Sequence, residues 1–263
     1  MTTTKKYNQR EITTFCAGRH AISEVPVVLE KPLTLFLNHL ELTTMICSPG
    51  AYEELCVGFL ISKGIVQERS DISSISCREE EGLVWIETSK PTPQTNNFLQ
   101  RNMASCCGKG RAGLYFINDF RQLEAVQSDT IFSAEQLLGF INELENKSVT
   151  YRRTHGLHEA ALADHSGLLY MYEDIGRHNV VDKVFGKAFL EGISTTDKCL
   201  LLSGRIASEI LIKAARNKVS FILSRSVATE LTIELAEELK ITLVGLARGD
   251  RFNIYSHPEK VMM

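Results

Sequence analysis

The second half of the chain alternates short apolar segments of strand character with amphipathic segments of helical character. Two consecutive strand candidates, HEAALAD and GLLYMYE, come first. Three further strand candidates, CLLLSG, VSFILS and ITLVGLA, each follow a helical segment. This alternation is typical of a largely parallel sheet with helices on its faces. It restricts this half of the chain to the α/β class.

The first half has a different pattern. Residues 27–47 form a β-rich run broken near Asn38 and His39, which predicts a hairpin. A helix is expected next, with Ser48 as its N-cap and Gly64 as its end. Two more strand candidates, DISSISC and GLVWIET, follow. The sequence therefore predicts a smaller mixed α+β domain before the α/β domain.

The domain boundary is expected near residue 130. Residues 1–130 would form the N-terminal domain and 131–263 the α/β domain, which opens with a predicted capping box of Ser133 and Gln136. A chain of 263 residues with 44% hydrophobic content can support two cores.

Charge and hydropathy exclude several classes of partner. The formal net charge of −3 argues against bulk binding of nucleic acid or membrane. No apolar run approaches the roughly 20 residues of a membrane span, and MTTTKKYNQR has no apolar signal region. A cytoplasmic protein is therefore expected.

Each loop that should leave the carboxyl end of a strand in the second half carries an arginine. Such loops are where α/β sheets bind ligands, and arginine forks match phosphate oxygens. Four loops of four favour an anionic, phosphate-bearing ligand. The arginines are Arg177 in EDIGRHN, Arg205 in LSGRIAS, Arg225 in LSRSVAT and Arg248 in LARGDRF, with Arg251 close behind.

The order of elements in the second half resembles the cytidine-deaminase-like fold. Zinc deaminases carry HxE and PCxxC at the starts of two successive helices. Here GRHN and SGRIAS hold those places, so His178 could stand for one ligand, while Cys199 lies inside a strand. A deaminase-like domain without zinc, and no structural metal, is therefore expected.

Seven cysteines occur, none in a CxxC motif. Cys47, Cys56, Cys77 and Cys199 lie in predicted strands or on the predicted helix, where a buried structural thiol is the default. Cys16 falls in a segment whose structure the sequence leaves undecided.

Cys106 and Cys107 differ from the other cysteines because small and basic residues surround them in SCCGKGR. Lys109 and Arg111 would favour the nucleophilic thiolate, and the glycines would allow the segment to move. Such a thiol could carry a group between two partners, although an ordinary flexible loop with incidental cysteines is the alternative.

Several long blocks together resemble the formate dehydrogenase accessory sulfurtransferase family, FdhD. The blocks are EKPLTLFLNHLELTTMICSPGAYEELCVGFLISKGIV, SCCGKG, HEAALAD, EDIGRHNVVDK, SGRIASE and ARGDRFNIYSHPE, in this order from about residue 25 onwards. The resemblance implies a protein that takes persulfide sulfur from a cysteine desulfurase. It would pass this sulfur to the molybdenum bis(molybdopterin guanine dinucleotide) cofactor, its cargo, before the cofactor enters formate dehydrogenase.

The resemblance also implies site residues. Cys107 would be the catalytic persulfide carrier, but the family's usual CGxCG reads Cys107-Gly108-Lys109-Gly110 here, so the second cysteine is replaced and Cys106 is an extra one. Independently of the resemblance, the loop argument predicts that Arg205 and Arg248 contact the cofactor phosphates. The family's cofactor-binding stretch falls on Phe252, Asn253, Ile254, Tyr255, Ser256 and His257.

Three functions remain open on the sequence: a sulfurtransferase, a cofactor-binding chaperone with incidental cysteines, and a zinc nucleoside deaminase, which the absent PCxxC disfavours. A homodimer is expected, because the cofactor has two nucleotide arms and one chain offers one arginine-lined edge.

Overall fold

A computed structural model describes residues 4–90, 120 and 122–263 of the chain. The first part contains six strands and one helix: β1 (Tyr7–Cys16), β2 (Arg19–Val28), β3 (Lys31–Leu37), β4 (Leu40–Cys47), α1 (Tyr52–Ser62), β5 (Ile72–Arg78) and β6 (Leu83–Thr88). The predictions for Cys106 and Cys107 lie outside the described residues.

The second part begins with β7 (Phe132–Ser133), α2 (Ala134–Lys147), α3 (Val149–Thr154), β8 (His158–Asp164), β9 (Gly167–Asp174) and α4 (Arg177–Glu191). It continues with β10 (Cys199–Leu202), α5 (Ser208–Arg216), β11 (Phe221–Ser224), α6 (Glu230–Leu239), β12 (Thr242–Arg248), β13 (Arg251–Ser256) and β14 (Val261–Met262). No helix in this described part, or in the part before it, is long and apolar enough to cross a membrane.

The N-terminal part forms a four-stranded sheet of order β4-β3-β6-β5, with α1 packed on it. Alternate residues of β3, namely Leu33, Leu35 and Leu37, are buried, as the period of a half-buried strand requires. The predicted hairpin is confirmed, and its turn residues Asn38 and His39 both have positive φ. β1 and β2 form a separate ribbon that the sequence left undecided.

Helix α1 begins later than the sequence predicted. Its N-cap is Ala51 and no side chain caps it, so the prediction of Ser48 as the cap is wrong. The backbone N–H of Ser48 donates to Asp174 Oδ2 (3.0 Å), and its Oγ accepts from Ile175 N (3.1 Å). Tertiary partners therefore take the groups that a cap would use. Gly64 follows the last helical turn, as predicted.

The C-terminal part forms a six-stranded sheet of order β13-β12-β11-β10-β8-β9. Only the β10/β11 and β11/β12 pairs are parallel, and the other pairs are antiparallel. The expectation of a largely parallel sheet is therefore wrong, because hairpins add antiparallel strands at both sides of a parallel centre. The edge strand β13 was not predicted.

Helices cover both faces of this sheet. Leu200 and Leu202 of β10 pack with α4, α5 and α6, whereas Cys199 and Leu201 pack with α2 on the opposite face. The predicted capping box opens α2, because Ser133 Oγ accepts from Gln136 N (3.1 Å) and Gln136 Oε1 accepts from Ser133 N (3.0 Å).

The two parts of the chain meet where α1 crosses α4. A Cβ atom on Gly58 would lie 1.9 Å from the carbonyl oxygen of Asp182, and one on Gly186 would lie 1.8 Å from that of Glu54. Only glycine permits backbones to approach this closely. The N-terminal part is therefore joined to the large sheet through two helices, α1 on the N-terminal sheet and α4 on the large sheet.

Candidate anion-binding site

The predicted arginine loops lie on one edge of the large sheet. β10, β11 and β12 are parallel to one another. β8 is antiparallel to β10, and β9 is antiparallel to β8, so β9 runs in the same direction as β10. Their carboxyl ends therefore share one edge, called here the arginine edge. Arg205 and Arg225 lie in loops that leave this edge, while Arg177 is the first residue of α4 and Arg248 the last residue of β12.

Two concavities lie at this edge. The larger, called the cleft, has a volume of about 400 Å³, and its lining includes Tyr151, His155, His158, Ser203, Arg225 and Arg248. The smaller, called the small pocket, is lined by Arg177 and Arg205 among others, and it also includes His158. His158 therefore belongs to both concavities, which divide the four arginines into two pairs.

Neighbouring groups hold the arginines of the cleft. Arg225 Nε forms an ion pair with Glu145 Oε1 at 2.8 Å, and Arg248 Nε donates to the backbone oxygen of Arg225 at 3.1 Å. The Arg248 side chain remains exposed. Burial, and secondarily the charge of Arg177, lowers the pKa of His158, so its neutral form is favoured. The cleft is therefore basic chiefly through its arginines.

The segment that precedes Arg177 is fixed by a buried carboxylate. Asp174 Oδ1 accepts from Gly176 N (2.8 Å) and Asn179 Nδ2 (3.1 Å). Its Oδ2 lies 2.6 Å from the ammonium group of Lys183. A carboxylate beside the first turn of α4 complements the dipole of that helix. Asp174 therefore fixes the position of the segment between β9 and α4.

A second buried acid, Glu159, borders the small pocket, and its backbone N–H donates to Ser203, which lines the cleft. It is 1% exposed, and neither carboxylate oxygen accepts a hydrogen bond from a described residue. Burial raises the pKa of Glu159 to about 7, partly opposed by nearby Ser148 and Arg225. The sequence analysis missed this residue. The alternation of faces along a strand could have indicated that Glu159 is buried, because it shares a face of β8 with the buried residues Ala161 and Ala163.

The stretch predicted to bind the cofactor runs away from the arginine edge. β13 is antiparallel to β12, so Phe252 lies near that edge and His257 lies at the opposite one. Phe252 and Ile254 pack against the core, and Ser256 Oγ bonds the backbone of Leu243 and Ile241. The structure thus brings Arg248 close to the start of this stretch only. Binding by these residues stays a prediction.

His178, the residue weighed as a zinc ligand, is buried, and its Nε2 lies 3.4 Å from Glu209 Oε2. Within residues 4–90, 120 and 122–263, no group of three or more His, Cys, Asp or Glu side chains has an arrangement that could hold a metal ion. Cys199 is buried inside β10, as predicted.

Of the remaining cysteine predictions, those for Cys47 and Cys56 are borne out, whereas Cys77, also predicted to be buried, is only half-buried. Cys47 and Cys56 are buried, and burial raises the pKa of the Cys47 thiol to about 12. Cys77 is half-buried, and burial raises its pKa to about 11. These thiols are protonated and poor nucleophiles at neutral pH. Cys16 is exposed at the end of β1.

The fold and the site define an α/β protein with a basic, ligand-sized edge at the carboxyl ends of its strands. Residues 28–262 match the sequence model of the FdhD/NarQ family. The chain belongs to this family.

Two curated relatives match nearly the whole chain, and both are named "Sulfur carrier protein FdhD". The protein from Bacillus subtilis (strain 168) is 40% identical over 253 residues, which is 96% of each chain. The protein from Listeria monocytogenes serotype 4b (strain F2365) is 40% identical over 256 residues, 97% of this chain and 98% of that one.

A crystal structure of a Desulfotalea psychrophila protein, described as a candidate formate dehydrogenase accessory protein, has a similar fold. It superposes with a TM-score of 0.82, covers 98% of this chain and 100% of its own, and is 24% identical.

Proposed function

We propose that this protein is a sulfur carrier in the maturation of formate dehydrogenase. The observation that carries the proposal is its similarity, over 96% of both chains, to a protein named as a sulfur carrier. The finer proposal is that the protein takes persulfide sulfur from a cysteine desulfurase. It then delivers this sulfur to a molybdenum bis(molybdopterin guanine dinucleotide) cofactor destined for formate dehydrogenase.

In this proposal Cys107 carries the sulfur. The described thiols support it indirectly, because Cys47, Cys56 and Cys199 are buried and burial raises their pKa values. A thiolate held next to Lys109 and Arg111 in sequence would attack the terminal sulfur of the donor persulfide. The bond to the donor cysteine breaks, the donor thiolate leaves, and Cys107 retains the sulfur as its own persulfide.

The arginine edge would hold the nucleotide arms of the cofactor. Guanidinium groups pair with phosphate oxygens in a bidentate fashion, and the cleft and the small pocket each contain two of them. We further propose that the C-terminal part is a cytidine-deaminase-like domain. The strand order β9-β8-β10-β11-β12, with helices on both faces, supports this assignment. The free thiols of the described part favour the cytoplasm as the compartment.

Mass spectrometry after incubation with a cysteine desulfurase and free cysteine tests the proposal. Wild-type protein should gain the mass of one sulfur atom, located on the peptide that contains Cys107. Cys107→Ser should lose this gain and abolish formate dehydrogenase maturation. Cys106→Ser is the matched control, because it changes the neighbouring thiol in the same segment.

Wild-type maturation activity in Cys107→Ser would reject sulfur transfer through this residue. It would leave the cofactor-binding chaperone as the function, since a chaperone needs no thiol.

A further inference from the structure

We propose that Glu159 couples ligand binding to proton uptake: an anion that enters the cleft binds together with one proton, which Glu159 receives from solvent. This inference rests on the proposed anion-binding role of the arginine edge. It adds a residue that does not itself contact the phosphate groups but sets the pH range in which they bind.

The first support is the environment of the Glu159 carboxylate. The side chain is 1% exposed and its two oxygens accept no hydrogen bond from any described residue. Ser148 is close enough to oppose the rise in the pKa of Glu159, but its single hydroxyl proton is donated to the carbonyl oxygen of Leu144 at 2.6 Å, so Glu159 accepts no hydrogen bond from it in this geometry. A buried carboxylate without hydrogen bonds is costly in its charged form, so small changes in nearby charge decide its protonation.

The second support is the position of Glu159 beside the cleft. Its backbone N–H donates to Ser203 Oγ at 2.9 Å, and Ser203 lines the cleft. Its cross-strand neighbour is Glu173, whose carboxylate accepts from the backbone N–H of Tyr151, another lining residue. Two residues that line the cleft, Ser203 and Tyr151, are therefore hydrogen-bonded to Glu159 or to its cross-strand neighbour, so Glu159 is adjacent to the wall of the cleft.

The third support is the set of charges around Glu159. Arg225 favours the ionised form of Glu159, whereas Glu173 on β9 and Glu145 on α2 oppose it. Lys6 lies 3.6 Å from Glu173, and Glu145 forms the ion pair with Arg225. Arg225 is thus a cation that both stabilises the ionised form of Glu159 and lines the cleft. A phosphate bound by Arg225 brings new negative charge, so Arg225 then stabilises the ionised form of Glu159 less.

The direction of the coupling follows from these charges. The pKa of Glu159 in the free protein is about 7, and a bound anion raises it further because like charges repel. Below about pH 7 Glu159 is protonated with or without ligand, so affinity does not depend on it. Above that pH, binding requires a proton, and affinity falls by up to about tenfold for each pH unit until the bound-state pKa is passed.

Titration calorimetry with GDP tests the inference on the full chain. Near pH 8 the terminal phosphate of GDP is fully ionised, since its pKa is about 6. Measurements in two buffers of different ionisation enthalpy give the number of protons taken up for each GDP bound. Wild-type protein should take up a fraction of a proton that approaches one. Glu159→Gln, which has the same shape and no titration, should bind GDP with no proton uptake.

His155 and His158 also line the cleft, so they are the other side chains to which a proton taken up from solvent could be assigned. The variants His155→Gln and His158→Gln should therefore retain the uptake, while Glu81→Gln, on the remote β5–β6 turn, serves as the control for removal of an exposed acid. Uptake that persists in Glu159→Gln, or that disappears in His158→Gln, would overturn the assignment. If wild-type protein does not bind GDP at all, the proposed anion-binding role fails, whereas binding without proton uptake refutes only the coupling.

Discussion

The Nζ atom of Lys183 lies 2.6 Å from Oδ2 of Asp174, and both side chains are almost completely buried. Lys183 also donates to the backbone oxygen of Ser48 at 3.2 Å, so the pair joins α4, the end of β9 and the segment before α1. Removal of one member leaves an uncompensated buried charge. We expect Lys183→Met to lower the free energy of unfolding by about 3–5 kcal/mol, measured by urea denaturation.

The double variant Asp174→Asn/Lys183→Met is the control for this pair. It removes both charges, so it should be less destabilised than the sum of the two single variants. Strictly additive losses would show that the two charges do not interact.

A methyl group at the crossing of α1 and α4 should destabilise the fold. Gly58→Ala would put Cβ 1.9 Å from the carbonyl oxygen of Asp182, so the helices must separate. We expect a loss of about 3 kcal/mol in the free energy of unfolding, at the upper end for overpacking. Gly139→Ala in α2 is the matched control, because its Cβ meets nothing within 4 Å; it should stabilise the protein by up to about 1 kcal/mol. Equal stabilities of the two variants would contradict the close approach.

The free energy of unfolding should depend on pH because the pKa of Glu159 differs between the folded and the unfolded protein. In the unfolded chain this acid ionises near its ordinary pKa, whereas in the folded protein it keeps its proton up to about pH 7. Its destabilising effect is therefore absent below the ordinary pKa, grows as the pH rises to about 7 and is constant above. At high pH this effect lowers the free energy of unfolding by at most about 3 kcal/mol. Glu159→Gln should be more stable than wild type near pH 8 and similar to it near pH 4.5, which denaturation curves at both pH values measure.

Loss of an arginine from the edge should weaken nucleotide binding without unfolding the protein. Arg205 and Arg248 are exposed, and loss of a charge-assisted hydrogen bond costs about 1.5–3 kcal/mol. We expect Arg205→Ala and Arg248→Ala to bind GDP roughly tenfold or more weakly, with little change in melting temperature. Arg152→Ala is the control, because Arg152 is exposed on α3 and does not line the cleft. Unchanged affinity in both edge variants would refute the role of the edge.

The proposed homodimer can be tested by light scattering with and without saturating GDP. A cofactor with two nucleotide arms requires two equivalent edges, and a two-fold symmetric pair of chains supplies them. We expect a dimer that binds two GDP molecules. A protein that stays monomeric at micromolar concentration with saturating GDP would show that one chain serves both arms or binds only one.

The sequence predicted the elements whose signals are local. The alternation of strands and helices, the hairpin at Asn38 and the capping box at Ser133 all depend on residues close in the chain, and all are present. The grouping of the arginines was also predictable, because the carboxyl ends of strands that run in one direction meet at one edge.

Features decided by distant contacts were not predictable. Ser48 has the chemistry of an N-cap, but its Oγ accepts from the backbone N–H of Ile175, which is 127 residues away, instead of from the first turn of α1. The strand β13 contains the stretch that family resemblance assigned to the cofactor, and its pairing with β12 carries His257 to the far edge of the sheet. Glu159 resembles a polar strand end in the sequence; the strand period places it on the face of β8 that carries Ala161 and Ala163, but the packing of α2 on that face depends on distant contacts.

The glycine crossing of α1 and α4 has a mechanical consequence. At Gly58 and Gly186 the backbones of the two helices are in direct contact, with no side chains between them. Sliding of one helix along the other would therefore cause backbone clashes, and we expect α1 and α4 to move as one unit. The buried contacts of Lys183 with Asp174 and Ser48 add a second connection between α4 and the segment before α1. We therefore expect the two halves of the protein to move together when a large ligand binds at the arginine edge, so that exposed side chains such as those of Arg205 and Arg248 adjust to its shape.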